Sequence, residues 1–147
     1  MPKVLVLIGS KSDADYAGEC RTILDKLGIE NHLEISSAHR QPDRTDELAK
    51  TAADKGFEVV ICMAGMAAAL PGVVASRTTL PVIGVPLPAT LEGIDALLAI
   101  AQMPSGIPVA TMGIGKAGAK NAAVLAGRIL SVKYPELVDR LNGLQKK

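Results

Sequence analysis

The chain has 147 residues, of which 48% are hydrophobic but only 2% are aromatic, and its formal net charge at neutral pH is +1. This length fits one domain with a sizeable core, which must be built from Val, Ile, Leu and Ala. The near-neutral charge, without any block of like charges, argues against nucleic acid or a membrane surface as the main partner.

The N-terminal residues predict a buried strand followed by a helix. Residues 3–8 contain a continuous apolar run that stops at Gly9, which is typical of a strand buried on both faces of a parallel sheet. Residues 13–27 have apolar side chains at helical spacing, and Gly28 is a helix stop.

The alternation of strand and helix continues along the chain. In chain order the pattern predicts a strand at 33–36, a helix at 42–55, a strand at 59–63 and a helix at 66–76 that is interrupted or begins near Pro71-Gly72. These are followed by a strand at 82–85, a helix at 94–101, a strand at 109–112, and helices at 117–132 and 135–144. Because no linker or repeat intervenes, we expect one domain over 1–147, an α/β fold of three layers with a mostly parallel sheet flanked by helices. The last helix, within 135–146, has an apolar stripe that can cap its own sheet or pack on a neighbouring subunit.

Ligands of such folds bind beyond the carboxyl ends of the strands, so the loops at those ends form the candidate site. In the first loop, Ser10 and Ser12 offer hydroxyls and the following helix offers free N–H groups, which together can hold a phosphate. Asp13 can accept hydrogen bonds from ribose hydroxyls. The alternative is an ordinary helix cap with Ser12 or Asp13 as the N-cap, because the loop matches neither the P-loop nor the dinucleotide pattern.

The second loop, with the sequence SSAHRQP over 36–42, contains the candidate proton carrier. An imidazole titrates near neutral pH, so His39 can give and take a proton, and Arg40 can form a forked pair with a phosphate. The alternative is that His39 bonds a backbone group and Arg40 makes a surface ion pair. The other histidine, His32, stands among polar neighbours and is expected to be an ordinary surface residue.

Two further loops are rich in small residues and proline. Segment 64–72, AGMAAALPG, allows a ligand to approach the backbone closely, although close helix–sheet packing also favours such residues. The fourth loop runs over 86–93 and 102–106, where Gln102 can supply an amide, or both segments are simply tight connections. Few carboxylates follow the strands, and neither a metal cluster nor a nucleophile elbow is visible, so hydrolysis by paired carboxylates is not expected.

The two cysteines, Cys20 and Cys62, fall in a helical pattern and in an apolar strand. They are expected to be buried thiols of a reducing compartment, and there is no second pair that would complete a zinc site. No segment has the length and purity of a membrane span, and no charged leader precedes the first strand. A cytoplasmic location is therefore expected.

Along the chain stand GSKSD, SAHRQP, LPVIGVP and DALLAIAQMPSGIPVATMGIGKAGAKNAA, in this order, followed by the terminal helix. Taken together, these motifs resemble the 5-(carboxyamino)imidazole ribonucleotide mutase family of de novo purine biosynthesis. The resemblance covers nearly the whole chain, and the pairing of SAHR with QMPSGIPVAT is highly specific. It implies a flavodoxin-like fold, a homo-oligomer that is usually an octamer with sites where subunits meet, and no metal or organic cofactor.

The resemblance also implies the reaction. The carbamate of the ribonucleotide substrate loses carbon dioxide to leave aminoimidazole ribonucleotide, and the retained carbon dioxide is added to ring carbon 4. The implied partners are this ribonucleotide, carbon dioxide, further copies of the chain and, functionally, a carbamate-forming synthetase. Neither nucleic acid nor a membrane is an implied partner.

Carried over by motif, Ser10 and Arg40 match phosphate-binding positions, Asp13 matches a ribose contact, and His39 matches the general acid and base. Ser12 lies in the same loop as Ser10. The remaining expected substrate-binding residues are Ser37, Ala38, Gly65, Ala69 and Leu70.

Two positions depart from the family pattern. Ala69 stands where the family has a histidine before LPG, and Gln41 stands where it usually has threonine. The first change removes a polar contact near the carboxylate or carbon dioxide site and leaves His39 as the only histidine that can act. Two alternatives stay open: direct carboxylation of aminoimidazole ribonucleotide by a lyase, as in a related branch that also lacks this histidine, and a non-catalytic ribonucleotide-binding paralogue.

Overall fold

A computed structural model describes residues 1–146, so the last residue of the predicted domain 1–147 lies outside the described residues. The sheet has five strands: β1 Lys3–Ile8, β2 Glu30–Ile35, β3 Val59–Gly65, β4 Val82–Leu87 and β5 Ala110–Thr111. The helices are α1 Ala14–Lys26, α2 Pro42–Thr51, α3 Leu70–Ala75, α4 Ile94–Ala101, α5 Lys116–Ser131 and α6 Leu137–Gln145. A single turn of 3-10 helix, Lys11–Asp13, precedes α1.

The strands are all parallel and follow the order β2-β1-β3-β4-β5. Alternate side chains of β1 enter two cores. Val4, Val6 and Ile8 pack on the side of α1, α5 and α6, whereas Leu5 and Leu7 pack on the side of α2, α3 and α4. Burial on both faces explains the unbroken apolar run of β1. The predicted three-layer α/β fold is confirmed, and its strand order is flavodoxin-like.

Some predicted boundaries differ from the observed ones. β2 begins three residues before the predicted 33–36, because an edge strand can keep polar side chains such as His32 on its open face. Of the two options for 66–76, a helix that begins near Pro71-Gly72 agrees with α3, which starts at Leu70. The helix does not extend back to residue 66, since Met66 and Ala68 have positive φ angles of 57° and 45°, which no α-helix accepts. The helix expected over 42–55 ends at Thr51.

Helix α6 uses its apolar stripe within its own chain. Leu137 and Leu141 are buried in the core shared with α1 and α5. Arg140 Nη1 donates a hydrogen bond of 2.8 Å to the carbonyl of Leu27, which follows the last residue of α1. This bond ties α6 to the end of the helix that begins at the first loop. Packing of 135–146 on a neighbouring subunit stays a prediction for the exposed side of this helix.

The cysteines are buried and unbridged, as expected. Burial raises the pKa of Cys20 to about 12, and burial also raises the pKa of Cys62. Both side chains therefore remain protonated thiols, which are poor nucleophiles. Among residues 1–146, no helix combines the length and the hydropathy that a membrane crossing requires.

Candidate active site

The site lies where the chain turns to opposite faces of the sheet. From β1 the chain enters α1 on one face, and from the adjacent strand β3 it enters α3 on the other face. A crevice opens between such loops at the carboxyl edge of the sheet. In this protein it is a cleft of about 1060 Å³.

The cleft brings together the ten residues that were expected to act in catalysis or in substrate binding. The predicted residues among those that line it are Ser10, Ser12, Asp13, Ser37, Ala38, His39, Arg40, Gly65, Ala69 and Leu70. They come from three loops that are far apart in sequence and follow three neighbouring strands. Their roles toward a ligand stay predictions, but their common location is a property of the fold.

The first loop does contain a helix cap, but the capping side chain is that of Ser10, at the N-cap of the 3-10 turn, rather than that of Ser12 or Asp13. Ser10 Oγ accepts a hydrogen bond of 3.3 Å from the Ser12 amide and lies 3.0 Å from Ser12 Oγ. Asp13 occupies the N-cap position of α1, yet its carboxylate makes no capping hydrogen bond. Burial raises the pKa of Asp13 above its ordinary range. The carboxylate is thus partly desolvated on the cleft wall without a capping role.

The second loop is held by hydrogen bonds at both ends. The Ser36 amide donates to the carbonyl of Ile8 at 2.9 Å, which continues the ladder between β1 and β2. Farther along, the Arg40 amide donates to Ser37 Oγ at 3.1 Å, and the Gln41 amide donates to the Ser37 carbonyl at 2.8 Å. These bonds close a tight turn around residues 37–41.

This turn presents His39 and Arg40 on the cleft wall, where both are exposed. In the described part of the chain, the Arg40 guanidinium has no carboxylate within salt-bridge distance. The ion pair considered as an alternative for Arg40 is therefore not formed among residues 1–146. The charge stays available to an anion in the cleft.

The third loop forms the opposite wall with small residues. The Ala68 amide donates to the Gly65 carbonyl at 3.0 Å, which closes a turn between β3 and α3. A Cβ atom at Gly65 would lie 3.3 Å from the Leu87 carbonyl oxygen, so a side chain there would crowd β4. Gly65 therefore serves close packing as well as access to the cleft.

One part of the fourth loop does not reach the cleft. Pro88 and Ala89, after β4, line it, but Gln102 and the segment to Gly106 do not. The reason is topological, because residues 102–106 belong to the connection from α4 to β5. This connection leads to the amino end of β5, whereas the cleft lies at the carboxyl ends of the strands. The amide role considered for Gln102 is thus wrong within a single chain.

Some cleft residues were not assigned a role from the sequence. Tyr16 lies outside the predicted loops, whereas Met66 and Ala67 lie in the predicted segment 64–72 but were given no contact of their own. Tyr16 lies one helical turn beyond Asp13, so the i, i+3 spacing on α1 was a usable signal. Met66 carried no such signal, because its position depends on a left-handed turn in a segment that was expected to be helical.

Other titratable residues of the described chain lie outside the cleft. His32 is exposed on β2 with Nε2 3.0 Å from Glu30 Oε1, as expected for a surface histidine. It borders a smaller cavity of about 350 Å³ with Lys3, Glu34 and Lys55, which contains none of the predicted site residues. Among residues 1–146, no group of three or more His, Cys, Asp or Glu side chains is placed to hold a metal ion.

Fold and site together define a flavodoxin-like α/β protein with a cleft at the topological switch point of its sheet, lined by polar and by apolar residues. Residues 3–147 match the AIR carboxylase family, and the chain belongs to that family. The resemblance found in the sequence motifs is thereby confirmed.

Individual relatives agree with this assignment. The chain is 55% identical over 142 residues to the N5-carboxyaminoimidazole ribonucleotide mutase of Saccharolobus solfataricus, covering 96% of this chain and 89% of that protein. It is 47% identical over 145 residues to the protein of the same name from Escherichia coli K12, covering 98% and 86%. Among solved structures, PurE of Treponema denticola superposes with a TM-score of 0.86 at 31% identity, covering 98% and 89%.

Proposed function

We propose that this chain is an isomerase of de novo purine biosynthesis. It converts 5-carboxyamino-1-(5-phospho-D-ribosyl)imidazole to 5-amino-1-(5-phospho-D-ribosyl)imidazole-4-carboxylate. The observation that carries this proposal is the cleft that joins His39 and Arg40 to the loop containing Ser10 and Asp13. Membership of the AIR carboxylase family, and the mutase names of relatives 47% and 55% identical, support the same reaction.

In the proposed complex, the substrate phosphate lies between the first and second loops. The hydroxyls of Ser10 and Ser12 donate to phosphate oxygens, and the unpaired guanidinium of Arg40 adds a forked, charge-assisted pair. The carboxylate of Asp13, which caps no amide, accepts hydrogen bonds from the ribose hydroxyls. The other residues proposed to contact substrate are Ser37, Ala38, Gly65, Ala69 and Leu70.

The reaction needs one group that first donates a proton and then accepts one. The bond between the exocyclic nitrogen and the carboxyl carbon breaks as that nitrogen takes a proton, which leaves aminoimidazole ribonucleotide and carbon dioxide. Ring carbon 4 then bonds to the carbon dioxide and loses its own proton. His39 is proposed to donate in the first step and accept in the second, so the net change moves one proton from carbon 4 to nitrogen.

Turnover under two conditions tests this proposal. One assay supplies the carbamate substrate with almost no bicarbonate, and the other supplies aminoimidazole ribonucleotide with excess bicarbonate. The 4-carboxylated product should form from the carbamate at low bicarbonate. Product only with excess bicarbonate would indicate a direct carboxylase, and binding without product in either assay would indicate a non-catalytic paralogue.

A homo-oligomer, and specifically an octamer, is part of the proposal. Three apolar residues near α4 are exposed: Leu91 by 62%, Ile94 by 52% and Leu98 by 49%. The opposite side of α4 buries Ala96 and Ile100 in the core, so this helix is apolar on both sides. Apart from Asp95, every residue of α4 is apolar. A helix with apolar residues on opposite sides is normally covered on both, and other copies of the chain would cover the exposed side of this one.

The cellular setting belongs to the same proposal. A cytoplasmic location is supported by the two unbridged, buried thiols, since such cysteines are common where thiols stay reduced. The carbamate of the substrate must be formed by another enzyme, so functional coupling to a carbamate-forming synthetase is proposed.

A further inference from the structure

Met66 is a large apolar residue of the cleft wall that lies open to solvent. Met66 is 59% exposed, whereas Leu70 and Leu87, which also line the cleft, are each 2% exposed. Every other residue from Ala64 to Ala69 is glycine or alanine. Met66 is therefore the one long side chain that this segment contributes to the cleft.

The backbone at Met66 would favour a different residue. Its φ angle of 57° lies in the left-handed region. Glycine adopts this conformation freely, but it is unfavourable for residues that have a Cβ atom. Ala68 repeats this conformation two residues later, with φ at 45°. A long side chain kept in a strained conformation on a ligand cavity motivates a functional hypothesis.

We propose that the Met66 side chain covers the cleft during the reaction and retains carbon dioxide until it has added to ring carbon 4. This inference rests on the proposed function, in which the carbon–nitrogen bond breaks before the carbon–carbon bond forms. Between these steps the carbon dioxide is neutral and apolar, so no ion pair holds it. An apolar, flexible thioether side chain suits a cover that excludes water and slows escape.

The test uses the full chain and the variants Met66→Gly, Met66→Ala and Met66→Leu, with the carbamate as substrate and labelled bicarbonate in solution. Two quantities are measured: free aminoimidazole ribonucleotide released per 4-carboxylated product, and label incorporated into that product. In the glycine and alanine variants, the amount of aminoimidazole ribonucleotide released per 4-carboxylated product should rise about five-fold or more. Label from the bicarbonate should also enter the product of these variants. Met66→Leu, which restores apolar length, should approach the wild-type ratio.

Two controls separate this role from a structural one. Val132 is 88% exposed and lies outside the cleft, so Val132→Ala should leave the ratio unchanged. Thermal melting should show that Met66→Gly is folded, since glycine relieves the left-handed strain. If Met66→Gly is folded and active but releases no more aminoimidazole ribonucleotide per product than the wild type, this inference is overturned and the proposed function is not. A wild-type chain that makes no product from the carbamate would overturn the proposed function and this inference together.

Discussion

The side-chain oxygens of Ser36 and Thr45 lie 2.7 Å apart, and both residues are fully buried. Thr45 Oγ1 is also 3.3 Å from the carbonyl of Ser37, to which it donates a hydrogen bond. This contact joins the end of β2 to α2 immediately before the turn that presents His39. The position of the proposed proton carrier thus depends on a buried pair of hydroxyls outside the cleft.

Thr45→Val should therefore destabilise the protein and slow turnover. Valine has nearly the same shape as threonine but leaves the Ser36 hydroxyl buried without its partner, which costs about 1–3 kcal/mol. Urea denaturation measures the free energy of unfolding. Thr22→Val is the matched control, because Thr22 donates to the Gly18 carbonyl at 2.9 Å on an exposed face of α1. Equal effects of the two substitutions would contradict the special role of Thr45.

His39→Asn should abolish most turnover while leaving ribonucleotide binding in place. Asparagine keeps a polar side chain of similar size but cannot shuttle a proton, and such a loss costs roughly 10²–10⁴-fold in rate. Steady-state kinetics and calorimetric titration measure the two effects separately. His32→Asn is the natural control, since the chain has only two histidines and His32 lies outside the cleft. Full activity in His39→Asn would exclude the proposed proton transfer.

Arg40→Ala should weaken binding of the ribonucleotide by about 2 kcal/mol, or roughly 30-fold in Kd, because a charged partner of the phosphate is lost. Arg44→Ala should change Kd little. Arg44 Nη2 already donates to Glu34 Oε2 at 2.7 Å, and this residue does not line the cleft. Titration of aminoimidazole ribonucleotide into both variants gives the comparison. A similar Kd for Arg40→Ala and the wild type would refute the phosphate contact.

Asp13→Asn should make the unliganded protein more stable at neutral pH. Burial raises the pKa of Asp13 above its ordinary value of 3.8, so the folded state favours the neutral carboxyl group. The wild type therefore loses stability as pH rises from 3.8 through the folded-state pKa, and asparagine avoids this loss. Thermal melting of both proteins from pH 3 to 8 should show a difference that disappears at the acid end.

Asp15→Asn is the control for this substitution. Asp15 is exposed in the first turn of α1, where a carboxylate is favourable beside the helix N-terminus. Its replacement should therefore lower stability slightly at neutral pH, opposite in sign to Asp13→Asn. Asp13→Asn should also weaken ribonucleotide binding. A variant with unchanged stability and unchanged affinity would remove Asp13 from the proposed site.

Leu98→Lys should reduce the oligomeric mass measured by light scattering. A lysine on the exposed apolar side of α4 would place a charge in the contact between subunits, where burial without a partner is unfavourable. Val132→Lys changes another exposed apolar residue, one at the end of α5 and apart from this patch. The proposed contact between subunits through α4 would be contradicted by a monomeric wild type. It would also be contradicted by equal masses for the wild type, Leu98→Lys and Val132→Lys.

The sequence was most informative where one physical requirement dominated. The apolar run of β1 could only be a buried strand, and both ends of that strand were predicted as observed. His39 and Arg40 were found because a loop after a predicted strand in a parallel sheet must open at the ligand-binding edge. The same rule, applied without following the chain direction, wrongly brought Gln102 to that edge.

Features that depend on tertiary contacts could not be predicted. The partnership of Ser36 with Thr45 requires α2 to pack beside the end of β2, and no local pattern indicates that contact. The left-handed backbone at Met66 contradicts the residue type found there, so the rule that assigns such positions to glycine failed. Tyr16 was recognisable from its spacing to Asp13, but only after the fold had placed α1 beside the cleft.

The positions of Tyr16 and Tyr134 also provide an intrinsic optical probe. The chain has two tyrosines and no tryptophan, so its ultraviolet emission comes from these two rings. The Tyr134 hydroxyl donates a hydrogen bond of 2.6 Å to a carboxylate oxygen of Glu58, a contact that quenches tyrosine fluorescence. Tyr16 lines the cleft. Its emission should therefore dominate the spectrum and change when a ribonucleotide enters, so affinities can be measured without attaching a dye.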